Sequence, residues 1–405
     1  MKTNLFSVRP PEIQRSFSLR PAIFIGVLCA VSGAIAPKAE AEYTFTLVAD
    51  SAGAFSNFGS VPSPSLNSTG TVAFYAALDN GRYGIFSGNG TATTTIELNP
   101  QQRAGYGHPT INEAGTVAFY ELQGNVNSEL IRIVSGNGGP LTTIADTAGQ
   151  FRDFAGQYSV SINASGSVAF WALPDSGPSG VFFGNGATTT PLFINSASLS
   201  VPGNFSLNEA GTLAFTSGNG TGVFTANSGV VTMIAGSSGP LNYFGTTPAI
   251  NNAGTVALIA GVGGIDGGSY GIYRGDGGPL TTIADRSGPF SSFSSFSSGN
   301  PSINDSGTVA FIAGLDAGGA GIFIGDGTAT SEVIGIGDAL FDSTIATFGI
   351  SPTSLNDSGQ VAFYYRLTNG TTGIAIATPA PEPSAFVLLA LSFGLSLACR
   401  NRRKG

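Results

Sequence analysis

Residues 301–311 read PSINDSGTVAF, and versions of this stretch recur seven times in the 405 residues of the chain. One asparagine marks every copy: Asn67, Asn112, Asn163, Asn208, Asn251, Asn304 and Asn356. The steps between successive asparagines are 45, 51, 45, 43, 53 and 52 residues, which gives a period of about 48. A fixed period of this size is typical of propellers and other repeat arrays. The sequence therefore predicts one structural unit per copy.

Each copy predicts a hairpin. Its asparagine is followed three residues later by glycine, as in Asn67 and Gly70. Asparagine can bond its own backbone two residues on, and glycine can adopt a positive φ, which suits a type I turn followed by a glycine bulge. The next run alternates large, small and large residues, as in 72–74 and 361–363. This alternation predicts a strand.

Two more strands complete the unit. A Gly-Ile/Val-Phe/Tyr run comes next, as in 84–86 and 321–323, although the second copy is degenerate at 130–133. A Gly-Asn/Asp-Gly turn follows in five copies and leads into a fourth apolar run, clearest at 141–145 and 280–284. Four short antiparallel strands per period make one blade. Seven copies therefore predict an all-β, seven-bladed propeller over residues 42–378.

Two features favour a closed ring. The first strand of each copy carries a small residue where blades would converge on the axis: Ser65, Thr110, Ser161, Ser206, Ala249, Ser302 and Ser354. The run 45–50 has the pattern of a fourth strand, whereas the seventh copy stops after its third strand near Ile376. We therefore expect the N-terminal strand to complete the last blade and to leave no exposed strand edge there.

The repeat resembles that of TolB-type propellers, in which a Pro-Asp-Gly-like turn precedes an Ile-Ala-Phe strand and an Ile-Tyr strand follows. Residues 301–311 and 321–323 carry the match, and the resemblance covers roughly residues 43–378. It implies a propeller fold. Asn-Asp-Ser-Gly stands here in place of the Asp-Gly turn.

Residues 1–41 predict a helical secretory signal. Basic residues precede an apolar run over 21–36, and Ala39 and Ala41 form an A-x-A cleavage site for signal peptidase. The alternative is a retained membrane anchor, although the apolar run is short for a span. Neither cysteine of the chain lies within 42–378, so no disulfide is available to the exported domain.

The predicted propeller is acidic. Residues 42–381 contain seven arginines, no lysine and 21 acidic residues, which gives a net charge of −14. Such a surface repels nucleic acid and anionic membranes. It favours divalent cations instead.

Residues 379–405 predict a rigid break, a short transmembrane helix and a basic end. The break consists of Pro381, Glu382 and Pro383. The uncharged run over 385–399 spans roughly 22 Å as a helix, short of the ~30 Å hydrocarbon core. The basic end contains Arg400, Arg402 and Arg403.

This tail is similar to the PEP-CTERM sorting signal of Gram-negative bacteria. The resemblance implies export across the inner membrane, recognition and cleavage by an exosortase, and release to the cell surface. It also implies an association with exopolysaccharide and biofilm. A plain single-span anchor is the alternative.

Four aspartates are candidate calcium ligands. They follow the fourth strands at equivalent positions, and a phenylalanine comes a few residues after each: Asp50, Asp146, Asp285 and Asp338, then Phe55, Phe151, Phe290 and Phe341. Equivalent positions in a propeller lie on one face, so these carboxylates are suited to Ca²⁺. Alternatively, each aspartate caps its own turn and each phenylalanine wedges between blades. A second acidic set, Glu113, Glu209, Asp305 and Asp357, lies in the hairpins and is most simply explained as solvated turn residues.

No residue is predicted to be catalytic. His108 is the single histidine and is interpreted as a loop residue next to Pro109, and no G-x-S-x-G elbow precedes a helix. The predicted function is therefore a binding or structural module of the cell surface or extracellular matrix, with polysaccharide or envelope proteins as partners. The alternative is a secreted polysaccharide hydrolase or lyase with paired carboxylates at one mouth of the ring.

Overall fold

The computed structural model describes residues 43–59, 63–99, 105–125, 128–154, 160–201, 204–263, 269–293 and 299–381. Contacts divide the chain into two units, Met1–Ala39 and Glu40–Gly405, and the described residues belong to the second. Within those ranges every regular element is a β-strand. The predicted signal helix lies outside the described residues, as does the tail from Glu382 onward.

The strands form seven sheets, which we number as blades 1 to 7. Blade 1 contains β2 (Phe55–Asn57), β3 (Ser65–Leu66), β4 (Val72–Leu78), β5 (Tyr83–Gly88) and β6 (Thr93–Leu98). Blade 2 contains β7 (Thr110–Ile111), β8 (Val117–Asn125), β9 (Ser128–Gly136) and β10 (Thr142–Asp146). Blade 3 contains β11 (Phe151–Asp153), β12 (Val160–Ile162), β13 (Val168–Pro174), β14 (Gly180–Gly184) and β15 (Thr189–Ile194).

The second half of the ring follows the same plan. Blade 4 contains β16 (Phe205–Leu207), β17 (Leu213–Thr216), β18 (Gly222–Asn227) and β19 (Val230–Gly236). Blade 5 contains β20 (Tyr243–Phe244), β21 (Ala249–Ile250), β22 (Val256–Val262), β23 (Ser269–Gly275) and β24 (Thr281–Asp285). Blade 6 contains β25 (Phe290–Phe293), β26 (Ser302–Ile303), β27 (Val309–Leu315), β28 (Ala320–Gly325) and β29 (Thr330–Gly335). Blade 7 contains β30 (Ala339–Leu340), β31 (Ser343–Gly349), β32 (Val361–Leu367), β33 (Thr372–Pro379) and β1 (Tyr43–Asp50).

The seven-bladed propeller is as predicted, but the inner strand of several blades is divided. In blade 1 both β2 and β3 pair antiparallel with β4, with Phe55 opposite Leu78 and Ser65 opposite Ala73. Blades 3, 5 and 6 repeat this division. The two short segments pair with different parts of the second strand, β2 with its end at Leu78 and β3 with its beginning at Val72.

The hairpin geometry is the predicted one. In blade 1 the backbone N–H of Gly70 donates to the carbonyl of Asn67 at 3.1 Å, and Gly70 has a φ of 79°. The equivalent glycines of the other six copies also have positive φ, and a side chain there would be strained.

The N-terminal strand closes the ring, also as predicted. Strand β1 pairs antiparallel with β33 from Tyr43 opposite Pro379 to Asp50 opposite Gly373. Strand β33 therefore lies between β1 and β32, and both ends of the described chain are built into blade 7.

The core lies at the seams between blades. In blade 1 the side chain of Phe74 packs with Ile374 and Ile376 of blade 7, whereas that of Ala73 packs with Phe119 of blade 2. Successive side chains of a strand point to opposite faces, so the phenylalanine faces the preceding blade and the alanine the following one. The alternation of large and small residues in the second strands therefore fills one side of each seam and leaves room on the other.

No helix within the described ranges has the length and apolar character needed to cross a membrane.

Candidate functional site on the propeller axis

The repeated asparagines form a hydrogen-bonded ring around the axis. All seven are buried. The side-chain amide of Asn67 donates to the backbone carbonyl of Asn112 at 3.1 Å, and its Oδ1 accepts from the N–H of Thr71 at 2.9 Å. Each asparagine accepts a bond within its own hairpin, and six of the seven also donate to the next blade. Inter-blade bonds of this kind join Asn112 to Asn163, Asn208 to Asn251, Asn251 to Asn304, Asn304 to Asn356 and Asn356 to Asn67.

The residue after each asparagine adds a second set of links. The N–H of Asn252 donates to Oδ1 of Asp305 at 2.8 Å, and the N–H of Asp305 donates to Oδ1 of Asp357 at 2.7 Å. Glu113 accepts from the N–H of Ser68 in the same way, and Glu209 accepts from the N–H of Ala164. The interpretation of these four acids as solvated turn residues is therefore incomplete, because each carboxylate also bonds the hairpin of the preceding blade.

A cavity of about 220 Å³ lies at the other end of the inner strands, and we call it the axial cavity. Every blade contributes to its wall, from residues in or just before the inner strand: Ser63, Thr110, Ser161, Ser206, Thr247, Asn300 and Thr353. Three of these are predicted axis-facing small residues of the sequence repeat. The prediction that small side chains converge on the axis is confirmed for them.

Part of the wall is internally bonded. Oγ of Ser65 accepts from the N–H of Ile111 at 3.2 Å and from Oγ1 of Thr353 at 3.0 Å. Oγ of Ser351 donates to the carbonyl of Pro64 at 2.6 Å. These bonds tie blades 7, 1 and 2 together beside the cavity.

Three other residues of the wall each have a polar side-chain atom without a hydrogen-bond partner in the part of the chain that the structure describes. These atoms are Thr110 Oγ1, Ser206 Oγ and Asn300 Oδ1, and all three are buried. A buried polar atom without a hydrogen bond costs about 1–3 kcal/mol. All three residues line this one cavity, so half of the six buried polar side-chain atoms that lack a partner among the described residues belong to its wall.

His108 also lines the axial cavity, beside Pro109. Burial lowers the pKa of His108 to about 4, so the imidazole is neutral at pH 7. The sequence analysis interpreted His108 as a loop residue next to Pro109 and missed the cavity that this residue lines. Among the lining residues that the structure describes there is no Asp, Glu, Lys or Arg. The site therefore offers neutral hydrogen-bonding groups rather than paired acids and bases.

The four candidate calcium ligands each cap a local turn. Oδ1 of Asp50 accepts from the N–H of Gly53 at 3.0 Å, and Oδ1 of Asp146 accepts from the N–H of Ala148 at 3.1 Å. Asp285 accepts from the N–H of Ser287 in the same way, whereas Oδ2 of Asp338 accepts from the N–H of Gly335, three residues earlier in the chain. No group of three or more His, Cys, Asp or Glu suited to a metal ion occurs in the part of the chain that the structure describes. This arrangement matches the alternative of turn capping, and calcium binding stays a prediction.

At three of the four positions, the phenylalanine that follows the aspartate packs between two blades. Phe55, Phe151 and Phe290 are buried in clusters that join two blades. Phe341 differs, because it sits in a tight turn with a φ of 51° and is 41% exposed.

A family model described as "Family of unknown function (DUF7453)" matches residues 233–350 and 347–387. These segments run from β19 to just past β33 and cover less than half of the chain. No curated protein sequence matches the chain.

Several solved structures are similar in fold. YCF48 from Cyanidioschyzon merolae is 11% identical with a TM-score of 0.45, and the match covers 80% of this chain and 99% of that one. A polysaccharide lyase, an ulvan lyase bound to its saccharide, is 11% identical with a TM-score of 0.48, over 84% and 96% of the two chains. Prolyl oligopeptidase B from Galerina marginata is 11% identical with a TM-score of 0.48, over 80% of this chain and only 49% of the oligopeptidase. Similarities with such low sequence identities and TM-scores do not indicate what this chain binds or whether it has an activity.

Blade 2 breaks the repeat with a buried ion pair. Glu121 is 1% exposed, and its Oε2 accepts from Nε of Arg132 at 3.1 Å and from its terminal nitrogen at 2.5 Å. The matching positions of blades 1 and 3 hold Ala76 opposite Gly84 and Ala172 opposite Gly180. Burial, then the charge of Glu121, raises the pKa of the neighbouring Glu97.

Of the predicted sorting and cleavage residues, only Pro381 lies within the described ranges. Pro381 is exposed two residues after β33 ends. The rest lie outside the described ranges: Ala39, Ala41, Glu382, Pro383, Arg400, Arg402 and Arg403.

Proposed function

We propose that the chain is an exported binding module whose propeller holds a small, neutral, polar ligand in the axial cavity. The observation that carries this proposal is that Thr110, Ser206 and Asn300 all line this cavity, and that each has a buried polar atom without a hydrogen-bond partner among the described residues. Hydroxyl groups can donate and accept, whereas Oδ1 only accepts. A ligand with both kinds of group, as a sugar ring has, matches this set.

The size and charge of the cavity narrow the ligand class. Its volume of about 220 Å³ lies below the range of roughly 300–1,000 Å³ that drug-sized ligands occupy. One sugar unit, or the end unit of a glycan, is of suitable size. The lining residues that the structure describes include no side chain ionised near pH 7, since His108 is neutral there. A neutral sugar is therefore favoured over a uronic acid or a phosphate, whose charge would be desolvated without compensation.

Export and sorting complete the proposal. The A-x-A site at Ala39 and Ala41 supports processing by signal peptidase, and the tail from Pro381 supports sorting by an exosortase to the surface of a Gram-negative cell. Because β33 ends at Pro379, cleavage at or beyond Pro381 would leave the closing sheet of blade 7 intact. A neutral surface or matrix polysaccharide is the partner that we propose.

A polysaccharide hydrolase or lyase is the second candidate. The proximity of Glu97 to Glu121 supports it, since burial and then the charge of Glu121 raise the pKa of Glu97, and general acid–base catalysis needs two carboxyl groups placed together. Against it, the Glu121 carboxylate is held by Arg132 and Gln123. Shortening of a polysaccharide by the purified protein would favour this candidate over the binding module.

Calorimetric titration of the full-length protein with neutral monosaccharides and with uronic acids tests the proposal. We expect saturable binding of a neutral sugar. The double variant Thr110→Val and Ser206→Ala should weaken it about tenfold or more, because each lost hydrogen bond contributes about 0.5–1.5 kcal/mol. The control Thr94→Val makes the same isosteric change on the outer strand β6 and should bind like the wild type. Absence of binding to any neutral sugar, or equal binding by the double variant, would refute the axial site.

A further inference from the structure

The outer strands of the blades differ in how their free edges are protected. An outer strand pairs on one side only, and natural sheets protect such edges with charged residues or proline. Six outer strands follow this rule, with Asp50 in β1, Glu97 in β6, Asp146 in β10, Pro191 in β15, Asp285 in β24 and Glu332 in β29. The outer strand of blade 4, β19, has the sequence VVTMIAG and contains neither.

Strand β19 is also apolar where other outer strands are polar. Val230 is 69% exposed, Met233 is 52% exposed and Val231 is 42% exposed. In blade 1 the residues at the register positions of Val231 and Met233 are Thr93 and Thr95. Blade 4 therefore presents methyl and thioether groups to solvent at positions that hold hydroxyls in blade 1.

The turn that leads into β19 also differs from the turns at the same place in blades 1, 2, 3, 5 and 6. Strands β18 and β19 are joined by Ser228 and Gly229, which both have positive φ, the signature of a type I′ turn. The longer Gly-Asn/Asp-Gly turns of other blades contact the outer strand of the neighbouring blade that precedes them in the ring. Gly90 of blade 1, for example, lies against Thr46 in β1 of blade 7. Nothing lies within 4 Å of a Cβ built on Gly229. The tight turn has thus lost its contact with blade 3.

A groove opens where that contact is lost. Its volume is about 660 Å³, and its wall includes Pro191, Phe193 and Ile194 of β15 and Val231 of β19. The free edge of β19 and this apolar groove are adjacent, because Val231 belongs to both. Together they form one surface, which we call the blade 4 edge.

The charge distribution indicates what covers the blade 4 edge. Residues 176–265 include Glu209 as their single charged residue, whereas residues 42–381 as a whole have a net charge of −14. Two copies of the chain repel each other over most of their surfaces. The blade 4 edge itself carries no charged residue, and the blade 5 turn that packs on Thr232 of β19 brings only one acid, Asp276, beside it.

We propose that the blade 4 edge is the interface with a second copy of this chain, in which the two β19 strands pair antiparallel about a two-fold axis. An antiparallel edge is self-complementary, so one strand can supply both halves of an isologous interface. The pairing joins the two blade 4 sheets into one continuous sheet. It also removes Val230, Val231 and Met233 from water and offers each groove to apolar side chains of the other copy.

Sedimentation equilibrium of the purified full-length protein over a wide concentration range tests the proposal. We expect a reversible dimer. The double variant Val231→Lys and Met233→Lys should raise the dimer Kd at least about tenfold, because it places like charges opposite each other at the pairing edge. The milder pair Val231→Thr and Met233→Thr, which introduces the residues of blade 1, should raise it less.

A matched control separates this interface from other modes of association. The pair Thr93→Lys and Thr95→Lys puts the same charges on β6 and should leave the dimer unchanged. Equal thermal unfolding temperatures of all variants would show that the fold is retained. A wild-type protein that stays monomeric, or a dimer that the β19 lysines do not weaken, would overturn the proposal; the second result would place the association elsewhere, such as in the tails.

Discussion

The side-chain amide of Asn356 donates to the backbone carbonyl of Asn67 at 3.0 Å, and this bond joins the last blade to the first. Nearby, the N–H of Leu66 donates to the carbonyl of Thr353 at 2.8 Å. The ring is therefore closed at the axis by hydrogen bonds as well as at the rim by the pairing of β1 with β33. The same asparagine that shapes each hairpin is the residue that connects neighbouring blades.

Removing one member of the asparagine ring should destabilise the whole propeller. In Asn251→Ala the bond to the carbonyl of Asn304 at 2.9 Å and the bond from the N–H of Thr255 at 2.8 Å are both lost from a buried site. We expect a decrease of about 2–3 kcal/mol in the free energy of unfolding, measured by denaturant titration. The control Asn80→Ala removes one exposed turn bond and should cost less than about 1 kcal/mol. Equal costs for the two would show that the ring contributes no more than an ordinary turn.

Asn251→Asp separates the two roles of the ring. An aspartate keeps an oxygen to accept from Thr255 but loses the donor to Asn304, and it brings a negative charge to a carbonyl oxygen. The variant should therefore be at least as unstable as Asn251→Ala. A near-native stability of Asn251→Asp would mean that the inter-blade bond is unimportant and that the hairpin bond carries the effect.

Stability should fall as the pH drops below neutrality because of His108. Its pKa is lowered by burial from 6.5 to about 4, so the unfolded chain takes up a proton near pH 6.5 that the folded protein does not bind until about pH 4. The loss between pH 7.5 and 5 should reach about 2 kcal/mol. Unfolding free energies of the wild type and of His108→Asn across this range measure it. Parallel pH profiles of the two proteins would contradict this role of His108.

The ion pair of blade 2 should behave as a coupled unit. Glu121→Ala leaves the Arg132 guanidinium without its partner, and we expect it to cost about 3 kcal/mol of stability. The double variant Glu121→Ala and Arg132→Gly introduces the Ala–Gly pair of blades 1 and 3 and should cost less than the two single changes added together. Denaturant titrations of all four proteins give this coupling. Strict additivity would mean that the pair contributes nothing beyond its separate side chains.

The orphaned atoms of the axial cavity predict an unusual stability effect. Thr110→Val removes a buried hydroxyl that has no protein partner and keeps the shape of the side chain. Without ligand, we expect the thermal unfolding temperature to stay the same or to rise, since no hydrogen bond to protein is lost. A matched change at Ser65, whose Oγ accepts two bonds, should lower it: Ser65→Ala breaks links to Ile111 and Thr353. A decrease caused by Thr110→Val would show that its hydroxyl is already bonded in the folded protein.

Periodicity was sufficient to predict the blades and their closure. The seven asparagines set the number of repeats, the Val-Ala-Phe runs marked the second strands, and the run 45–50 matched the missing fourth strand of the last repeat. These features depend on local turn chemistry and on strand alternation, which a sequence displays directly. The division of the inner strands was not predicted, because segments of two or three residues leave no periodic pattern.

The axial site was not predicted because it depends on distances between blades. That Asn67 bonds Asn112, or that Thr110, Ser206 and Asn300 face one cavity, follows from how closely seven inner strands meet around the axis. The sequence showed the small residues but not which of them would find partners. The departure of blade 4 was visible as a missing Gly-Asn-Gly turn, yet its exposed edge became evident only with the burial of each side chain.

The pairing of β1 with β33 has a consequence for the order of assembly. Thr44 and Thr378 lie opposite each other although 334 residues separate them. Because the chain is synthesised from its N-terminus, β1 has no partner strand until β33 has been synthesised. Blades 1 to 6 can form earlier from local hairpins. Contacts so distant in sequence form slowly, and an unpaired strand is prone to aggregate meanwhile. We therefore expect the pairing of β1 with β33 to form late in folding.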